Sequence, residues 1–367
     1  MRGDEGRKQM VPEKNKVIAV AMSGGVDSSV TAALLKRQGH EVTGITMRLF
    51  APRCTGIGSA AHDAASVARY LGIPHHVIDL ETDFRELIIN DFIGEYRFGR
   101  TPNPCVRCNR YVKFGLLLNQ ARELGADLLA TGHYVRKTVD GDGVCHLRQA
   151  RCIGKDQSYF LSTLSQEQLE AVVFPLGEME SKDEVRRLAR EFHLPVSEKG
   201  DSQEICFIPN DDYAAYLEES GALAGTPGDI VHVKGRVIGR HRGTHRYTVG
   251  QRKGLGIAWC EPLYVTAIDT ERNVVVVGEE RYLAAGGLLA AEVGWIAPPP
   301  DADEFKTTCK IRYRHQPVAC RVRVLPGGGC EVRFDEPQKA VTPGQTVVFY
   351  QDDEVLGGGR IVGAMVP

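Results

Sequence analysis

The chain of 367 residues has no uncharged run long enough to cross a membrane, which excludes a membrane-spanning helix. Its formal net charge is only −2, so it lacks the overall positive charge that draws many proteins to nucleic acid. It also lacks the Gly-x-x-x-x-Gly-Lys-Ser/Thr signature of P-loop proteins, because Gly154-Lys155 continues with Asp156. We therefore expect a cytoplasmic protein with no membrane partner, in which local basic patches would hold any nucleic acid.

The composition is that of a globular protein with several domains. Hydrophobic residues make up 43% of the chain and charged residues 25%, and there are ten cysteines. In a cytoplasmic protein cysteines are reduced thiols, so they are expected to bind metal or take part in sulfur chemistry.

The chain shows two successive patterns of predicted secondary structure. Up to about residue 210, strand-like runs (residues 17–22, 42–49, 75–80 and 127–131) alternate with helical patterns (residues 60–70, 84–96, 111–123 and 181–192). This alternation predicts an α/β domain with a parallel sheet and a ligand at the carboxyl ends of its strands. Later runs (residues 229–233, 263–269 and 273–277, then 308–314, 319–325, 331–334, 346–350 and 355–361) predict a small β domain and a C-terminal antiparallel β-barrel. The predicted parts are a tail 1–15, a catalytic domain 16–210, a small mostly-β domain 211–285 and a barrel 286–367.

The segment Ser23-Gly24-Gly25-Val26-Asp27-Ser28-Ser29 lies between an apolar strand and an amphipathic helix. Two glycines allow a tight turn, so that backbone N–H groups at the helix N-terminus point at an anion, and the serine hydroxyls add donors. A carboxylate beside a phosphate is repelled unless a cation lies between them, so Asp27 is interpreted as a Mg²⁺ contact. The segment predicts a phosphate site.

Cys105 and Cys108 lie in Thr101-Pro102-Asn103-Pro104-Cys105-Val106-Arg107-Cys108-Asn109. The two prolines predict a stiff loop until a helix begins near Asn109. Cys108 would then lie near a helix N-terminus and three basic residues (Arg107, Arg110 and Lys113), and both features favour its thiolate. Cys206 follows a polar stretch and could reach the same pocket, or be a small buried apolar residue. A single Cys-x-x-Cys does not complete a zinc site.

These motifs resemble those of the tRNA-specific 2-thiouridylases, a family of ATP pyrophosphatases with an adenine nucleotide α-hydrolase-like (PP-loop) domain. The resemblance runs from about residue 16 to 361 and rests on these strings, in order: AMSGGVDS (21–28), GRTPNP (99–104), ATGHY (130–134), KDQSYFL (155–161), ICFI (205–208), YTVGQRKGLGI (247–257), FDEP (334–337) and TPGQ (342–345).

The resemblance implies ATP-dependent adenylation of the C2 oxygen of the wobble uridine in tRNAs for Lys, Glu and Gln, followed by replacement of that oxygen with sulfur. A cysteine desulfurase or sulfur-relay protein would supply the sulfur. Cys108 would be the nucleophile and Cys206 the persulfide carrier, and turnover would leave a Cys108–Cys206 disulfide for a reductant to reopen.

The implied ATP-binding residues are Ala21, Met22, Ser23, Gly24, Gly25, Val26, Asp27, Ser28, Met47 and Gly132. Asn103, Pro104 and Cys105 would contact the target base. The implied tRNA contacts are His133, Lys155, Asp156, Gln157, Arg312, Tyr313 and Gln345, where Arg312 and Tyr313 offer a charge and a stacking ring on a strand.

Position 105 departs from the family pattern described with Asp at this place. Cys105, Cys108 and Cys206 are the number of thiolates that would hold a [4Fe–4S] cluster with one open iron. In that alternative Cys206 is a ligand and the open iron binds the sulfide.

Two further alternatives remain at this stage. Amidating or ligating pyrophosphatases use the same phosphate loop with ammonia or an amino group as acceptor, but the two nearby cysteines and the tRNA-contact strings argue against them. A non-catalytic tRNA-binding protein or cluster scaffold would retain the phosphate loop as a remnant without activity. The intact residues of the predicted site argue against this alternative: Ser23, Asp27, Cys108 and Cys206.

Overall fold

A computed structural model describes residues 8–9, 15–50, 60–200, 205–299 and 302–366. The strands of the described residues are β1 Lys8–Gln9, β2 Val17–Ala21, β3 Glu41–Arg48, β4 His75–Asp79, β5 Leu128–Ala130, β6 Val135–Val139, β7 Cys145–Gln149, β8 Val172–Val173, β9 Gly228–His232, β10 Val237–His241, β11 Leu263–Asp269, β12 Val274–Glu279, β13 Ala284–Trp295, β14 Phe305–Lys310, β15 Val318–Leu325, β16 Gly329–Lys339, β17 Thr346–Gln351 and β18 Glu354–Met365.

The α-helices of the same residues are α1 Val26–Arg37, α2 Ala60–Leu71, α3 Glu81–Phe84, α4 Asn90–Arg97, α5 Pro104–Arg107, α6 Leu117–Glu123, α7 Gln166–Glu170, α8 Lys182–Glu191 and α9 Tyr213–Glu219. Two π-helical segments, Arg85–Ile89 and Cys108–Leu116, join α3 to α4 and α5 to α6. None of the described helices is both long enough and apolar enough to span a bilayer.

The first domain is built on a parallel sheet of strand order β4-β3-β2-β5-β8. The chain runs outward from β2 to β4, returns to the centre, and continues on the other side with β5 and β8. Loops that leave β2 and β5 therefore diverge to opposite faces and open a crevice at the carboxyl ends of the strands, which is where such sheets bind ligands. The predicted α/β class is confirmed.

The C-terminal strands close into a barrel. Among the described residues, the order β18-β13-β16-β15-β14-β17 is completed by pairing of β17 with β18. The barrel core consists of alternating inward residues, among them Val322, Val332 and Phe349, all fully buried. The predicted antiparallel barrel is confirmed, although the sequence reading missed its long strand β13.

A hairpin of the first domain extends the barrel sheet. Strands β6 and β7 pair with each other, and β7 pairs with β18 through Leu147 opposite Val355. Lys8 and Gln9, which fall in the predicted tail, form β1 and pair with β6, while the rest of residues 1–14 lies outside the described residues. The sheet thus joins the first domain to the barrel.

The middle domain is a small sheet of order β10-β9-β12-β11, as predicted for this part, with β10 as an additional strand. It contacts both other domains at one turn: Thr248 bonds to Thr101 of the first domain (Oγ1 to Oγ1, 3.0 Å), and Thr342 of the barrel donates to the Val249 carbonyl (3.3 Å). The three domains meet beside the segment that precedes Cys105.

Candidate active site

The segment between β2 and α1, predicted to bind phosphate, forms a tight turn at the N-terminus of the helix. Gly24 has φ +68°, a conformation that favours glycine, and a Cβ there would lie 2.4 Å from the Ala60 carbonyl oxygen. Ser28 Oγ accepts a bond from the Ser23 backbone N–H (3.2 Å), which holds the turn against the helix. The N-cap is Gly25, which offers no side chain, so the first N–H groups of α1 keep their capacity to bind an anion.

A second loop approaches this one from β5. A Cβ at Gly132 would lie 2.8 Å from the Ser28 nitrogen and 2.9 Å from the Asp27 carbonyl carbon, so only glycine allows the two backbones to come this close. Met47, half-buried near the end of β3, lies on the adjoining strand. The residues that the resemblance assigned to ATP therefore lie at or beside the crevice between β2 and β5: Ala21, Met22, Ser23, Gly24, Gly25, Val26, Asp27, Ser28, Met47 and Gly132.

Asp27 has partners that the sequence reading missed. Lys182, the first residue of α8, donates to both carboxylate oxygens at 2.7 and 2.8 Å, and Tyr134 donates its hydroxyl at 2.8 Å. One carboxylate beside bound phosphates is a donor set that suits Mg²⁺, which takes one or two carboxylates together with phosphate oxygens and water. Asp27 supplies a carboxylate of this kind at the start of α1, and in this structure Lys182 and Tyr134 bond to it.

Another lysine connects the phosphate loop to the segment that leads to Cys206. Lys199 donates to the Gly24 carbonyl (3.0 Å) and forms an ion pair with Asp63 (2.5 Å). Only a few residues separate Lys199 from Cys206, and residues 201–204 between them lie outside the described part. The sequence pattern held no signal for either lysine, because a charged residue in a polar stretch is ordinarily a solvated one.

The prediction that the prolines hold a loop up to Asn109 is wrong. The helix begins at Pro104, which occupies the first helical position, where the missing N–H of proline would have no intrahelical partner anyway. Cys105 and Cys108 consequently lie one turn apart on the same helix face, and Cys108 is a full turn inside the helix. The helix N-terminus lies beside Cys105 instead.

The three cysteines lie near enough to influence each other electrostatically, and we call this group of residues the cysteine recess. Cys105 and Cys206 are exposed residues, whereas Cys108 is 8% exposed. Burial raises the pKa of Cys108 to about 12, against a partial lowering by Lys113, and the neighbouring thiols of Cys206 and Cys105 raise it further. Burial also raises the pKa of Cys105 and that of Cys206, because protein surrounds these accessible thiols on most sides. The predicted thiolate at Cys108 is therefore wrong for the free protein.

The geometry does not fit an iron–sulfur cluster. Within the described part of the chain, no group of three or more His, Cys, Asp or Glu side chains is arranged to hold a metal ion. Cys105, Cys108 and Cys206 lie close enough to influence each other electrostatically but are not gathered as a ligand set. We therefore derive no step through a cluster.

The barrel fixes the segment that carries the predicted base contacts. Thr101 donates its N–H to the Pro343 carbonyl (2.9 Å), and Gln345 Nε2 donates to the Thr101 carbonyl (2.9 Å). The Tyr159 hydroxyl bonds to the Thr346 carbonyl (2.7 Å) and interacts with the Asn103 side chain. The barrel thus sets the position of the segment that leads to Asn103, Pro104 and Cys105, of which Pro104 is buried and Cys105 exposed.

The predicted tRNA contacts divide into accessible and structural residues. Arg312 is exposed and Lys155 partly so. Asp156 is 5% exposed, and its carboxylate accepts from the N–H of Ala150 (3.0 Å) and the hydroxyl of Ser158 (2.7 Å). The buried Asp156 carboxylate therefore holds together the loop that contains Ala150 and Ser158.

Two more of these residues are engaged within the protein. Gln157 accepts from the Tyr134 N–H (3.0 Å). His133 is packed beside Phe114 and Phe174, and burial, together with the Lys113 charge, holds its pKa well below the usual range. His133 is thus a neutral residue, and its Nδ1 shares a hydrogen bond with Thr131 (2.7 Å).

The prediction of a strand over residues 308–314 is wrong at its end. Strand β14 stops at Lys310, and Arg312 and Tyr313 lie in a turn closed by the His315 N–H on the Arg312 carbonyl (3.0 Å). The Tyr313 ring packs on Phe160 with centroids 4.5 Å apart, and its hydroxyl donates to the Asp156 carbonyl. Tyr313 anchors the barrel to the first domain, so its ring is not the free stacking surface that we expected.

Family models match three consecutive parts of the chain. The description "tRNA methyl transferase HUP domain" matches residues 16–210, "tRNA methyl transferase PRC-barrel domain" residues 215–279 and "Aminomethyltransferase beta-barrel domain" residues 285–361. Among solved structures, the U34-tRNA thiolase NcsA from Methanococcus maripaludis with its [4Fe-4S] cluster is 19% identical. The match covers 57% of this chain and 68% of that one with a TM-score of 0.34, a likeness too weak to carry an argument.

Relatives of known name match nearly the whole chain. The tRNA-specific 2-thiouridylase MnmA of Pelobacter propionicus is 72% identical over 348 residues, which cover 95% of this chain and 98% of the relative. The protein of the same name from Trichlorobacter lovleyi is 67% identical over 347 residues, with coverage of 95% and 98%. The chain therefore belongs to the tRNA-specific 2-thiouridylase family.

Proposed function

We propose that this protein forms 2-thiouridine at the wobble position of tRNAs for Lys, Glu and Gln, in a reaction that consumes ATP. The observation that carries the proposal is the presence, in one domain, of a tight Gly-rich turn at a helix N-terminus and of three thiols that lie near one another. The names of the relatives, tRNA-specific 2-thiouridylase, support both the thiolation and the tRNA substrate.

The first step is adenylation of the base. A uridine C2 carbonyl oxygen is a poor leaving group, and its attack on the α-phosphorus of ATP, with departure of pyrophosphate, makes it a good one. The N–H groups at the start of α1 and the hydroxyls of Ser23 and Ser28 hold the phosphates. Lys182 lies beside Asp27 and supports the charge that develops on the leaving pyrophosphate. A magnesium ion held by Asp27 would neutralise phosphate charge when bound.

Sulfur transfer follows in the cysteine recess. The terminal sulfur of a persulfide on Cys206 attacks C2 and AMP leaves. The thiolate of Cys108 then attacks the sulfur of Cys206, so that the new C2–S bond is kept and a Cys108–Cys206 disulfide forms. A thiol reductant reopens this disulfide, and a cysteine desulfurase or sulfur-relay protein renews the persulfide.

The exposure of the thiols agrees with these roles. Cys206 is accessible, as a residue that is loaded by another protein must be, and Cys108 is enclosed beside it. The wobble base must leave the anticodon stack to reach this recess, as expected for chemistry on single-stranded loops. Asn103 and Pro104, directly before Cys105, would hold the extruded base, and the exposed Arg312 would contact the tRNA backbone.

The test uses the full chain with ATP, Mg²⁺, a persulfide donor and unmodified tRNA-Lys, and measures pyrophosphate, AMP and thiolated nucleoside. The matched control is the same transcript with cytidine in place of the wobble uridine. We expect thiolation and tRNA-stimulated AMP formation with the first transcript alone. Normal AMP formation into another acceptor, without thiolated nucleoside, would refute the proposal.

A further inference from the structure

Lys113 is the cation of the cysteine recess. It lies in the π-helical segment Cys108–Leu116, five residues after Cys108. In an α-helix, two residues five apart point about 140° away from each other. In a π-helix, hydrogen bonds connect residues five apart, which places such residues one above the other. The π register therefore turns Lys113 toward the face that carries Cys108.

The charge of Lys113 acts on four titratable groups of the described residues. Its ammonium lowers the pKa of Cys105 and of Cys108 on its own helix, of Cys206 on the neighbouring segment, and of His133 after β5, although burial outweighs it at each thiol. Among the described residues, Lys113 has no carboxylate within ion-pair distance and no hydrogen-bond partner. Within the described part of the chain, the charge of this half-buried ammonium thus acts on the sulfur atoms and is not neutralised by an ion-paired carboxylate.

The position of Lys113 matters for the sulfur-transfer step, in which an enclosed thiol must carry a negative charge. Cys108 must act as a thiolate, yet it is the enclosed thiol of the three. An anion in such a place needs a nearby cation, and His133 cannot supply one because it is neutral. Of the other basic residues beside Cys108 in the sequence, Arg107 is paired with Asp91, and Arg110 lies over the Tyr111 ring.

We infer that Lys113 is a positioning residue that stabilises the anionic sulfur of Cys108 during sulfur transfer. This inference rests on the proposed function for its biological meaning, but its physical content is a property of the free protein. Replacing the ammonium with a neutral side chain should lower the reactivity of Cys108, while another cation at the same place should preserve it.

The experiment follows alkylation of individual cysteines by iodoacetamide from pH 7 to 9.5, resolved by mass spectrometry, on the full chain without ATP or tRNA. We expect Lys113→Met and Lys113→Gln to slow alkylation of Cys108 about tenfold at each pH, because an adjacent opposite charge shifts a pKa by roughly one unit or more. Lys113→Arg should stay within about threefold of the unchanged chain. Lys306→Met, at an exposed barrel position, is the matched control and should have no effect.

Two other cysteines serve as internal standards. Cys260 is exposed in the middle domain and should react equally in all variants, while Cys309 is fully buried in the barrel and reacts only if the protein unfolds. An unchanged Cys108 rate in a folded Lys113→Gln protein would overturn the inference. Slowing by Lys113→Arg as large as that by Lys113→Met would overturn it too, since shape and not charge would then matter. Neither outcome would bear on thiolation, which is measured separately with tRNA.

Discussion

The close approach at Gly132 allows a sharp prediction. In Gly132→Ala the new methyl group would lie 2.8 Å from the Ser28 nitrogen and 2.9 Å from the Asp27 carbonyl carbon. These are backbone atoms in the first turn of α1, so they cannot swing aside as a flexible side chain would. Overpacking of this kind costs about 1–3 kcal/mol. For a domain of this size each kcal/mol lowers Tm by roughly 2–4 °C, so we expect a fall of roughly 2–12 °C.

The same displacement should affect the reaction more than the stability. Relief of the clash moves the phosphate loop away from β5, and a misplacement of about 1 Å can cost on the order of a hundredfold in rate. Tm is measured by calorimetry and adenylation by tRNA-dependent release of pyrophosphate. Gly94→Ala is the matched control, because a Cβ at this position in α4 meets no atom within 4 Å and alanine favours a helix. Wild-type Tm and rate in Gly132→Ala would refute the reasoning.

Three further variants test separate parts of the proposal. Asp27→Ala should abolish pyrophosphate release and leave tRNA binding intact in a filter assay, because tRNA contacts are spread over other domains; equal loss of both would show a structural role. Arg312→Ala should weaken tRNA binding and reduce the slope of log affinity against log salt by about 1, as expected for one lost phosphate contact, and an unchanged slope would contradict this. Cys105→Asp should keep persulfide-dependent thiolation in iron-free protein, with the persulfide mapped to Cys206, since the recess does not fit a cluster. Joint loss of iron and activity in that variant would contradict the persulfide route.

Much of the fold followed from local patterns. Apolar runs predicted four of the five strands of the parallel sheet to within a residue or two and missed the two-residue strand β8. The capping-box pattern at residues 181–184 predicted Ser181 as a helix N-cap, and in the structure its Oγ accepts from the Glu184 N–H (3.1 Å). In contrast, β13 reads Ala-Ala-Gly-Gly-Leu-Leu-Ala-Ala at its start, which has neither alternation nor β-branched residues. Its pairing with β16 and β18 makes it a strand, and such long-range pairing is not encoded in a short window.

The site was predictable in its residue types but not in its electrostatics. Glycines and serines of the phosphate loop act through local backbone geometry, which a short sequence encodes. The pKa of Cys108 depends on burial by distant segments, and the orientation of Lys113 depends on a π register that no spacing rule reveals. The pairing of Lys182 with Asp27 spans 155 residues of sequence and could be read only from the folded chain.

The junction between β7 and β18 has a consequence for how the chain folds during synthesis. Arg148 beside the hairpin's outer edge bonds to Asp353 (2.8 Å), 205 residues later in the sequence. The ribosome therefore releases β7 long before the strand that covers its edge, and the nascent first domain must carry an open, pairing-competent edge until the barrel is made. Expression of the first domain alone should leave that edge uncovered and favour aggregation. The barrel, although it is synthesised last, therefore protects the first domain from edge-to-edge association.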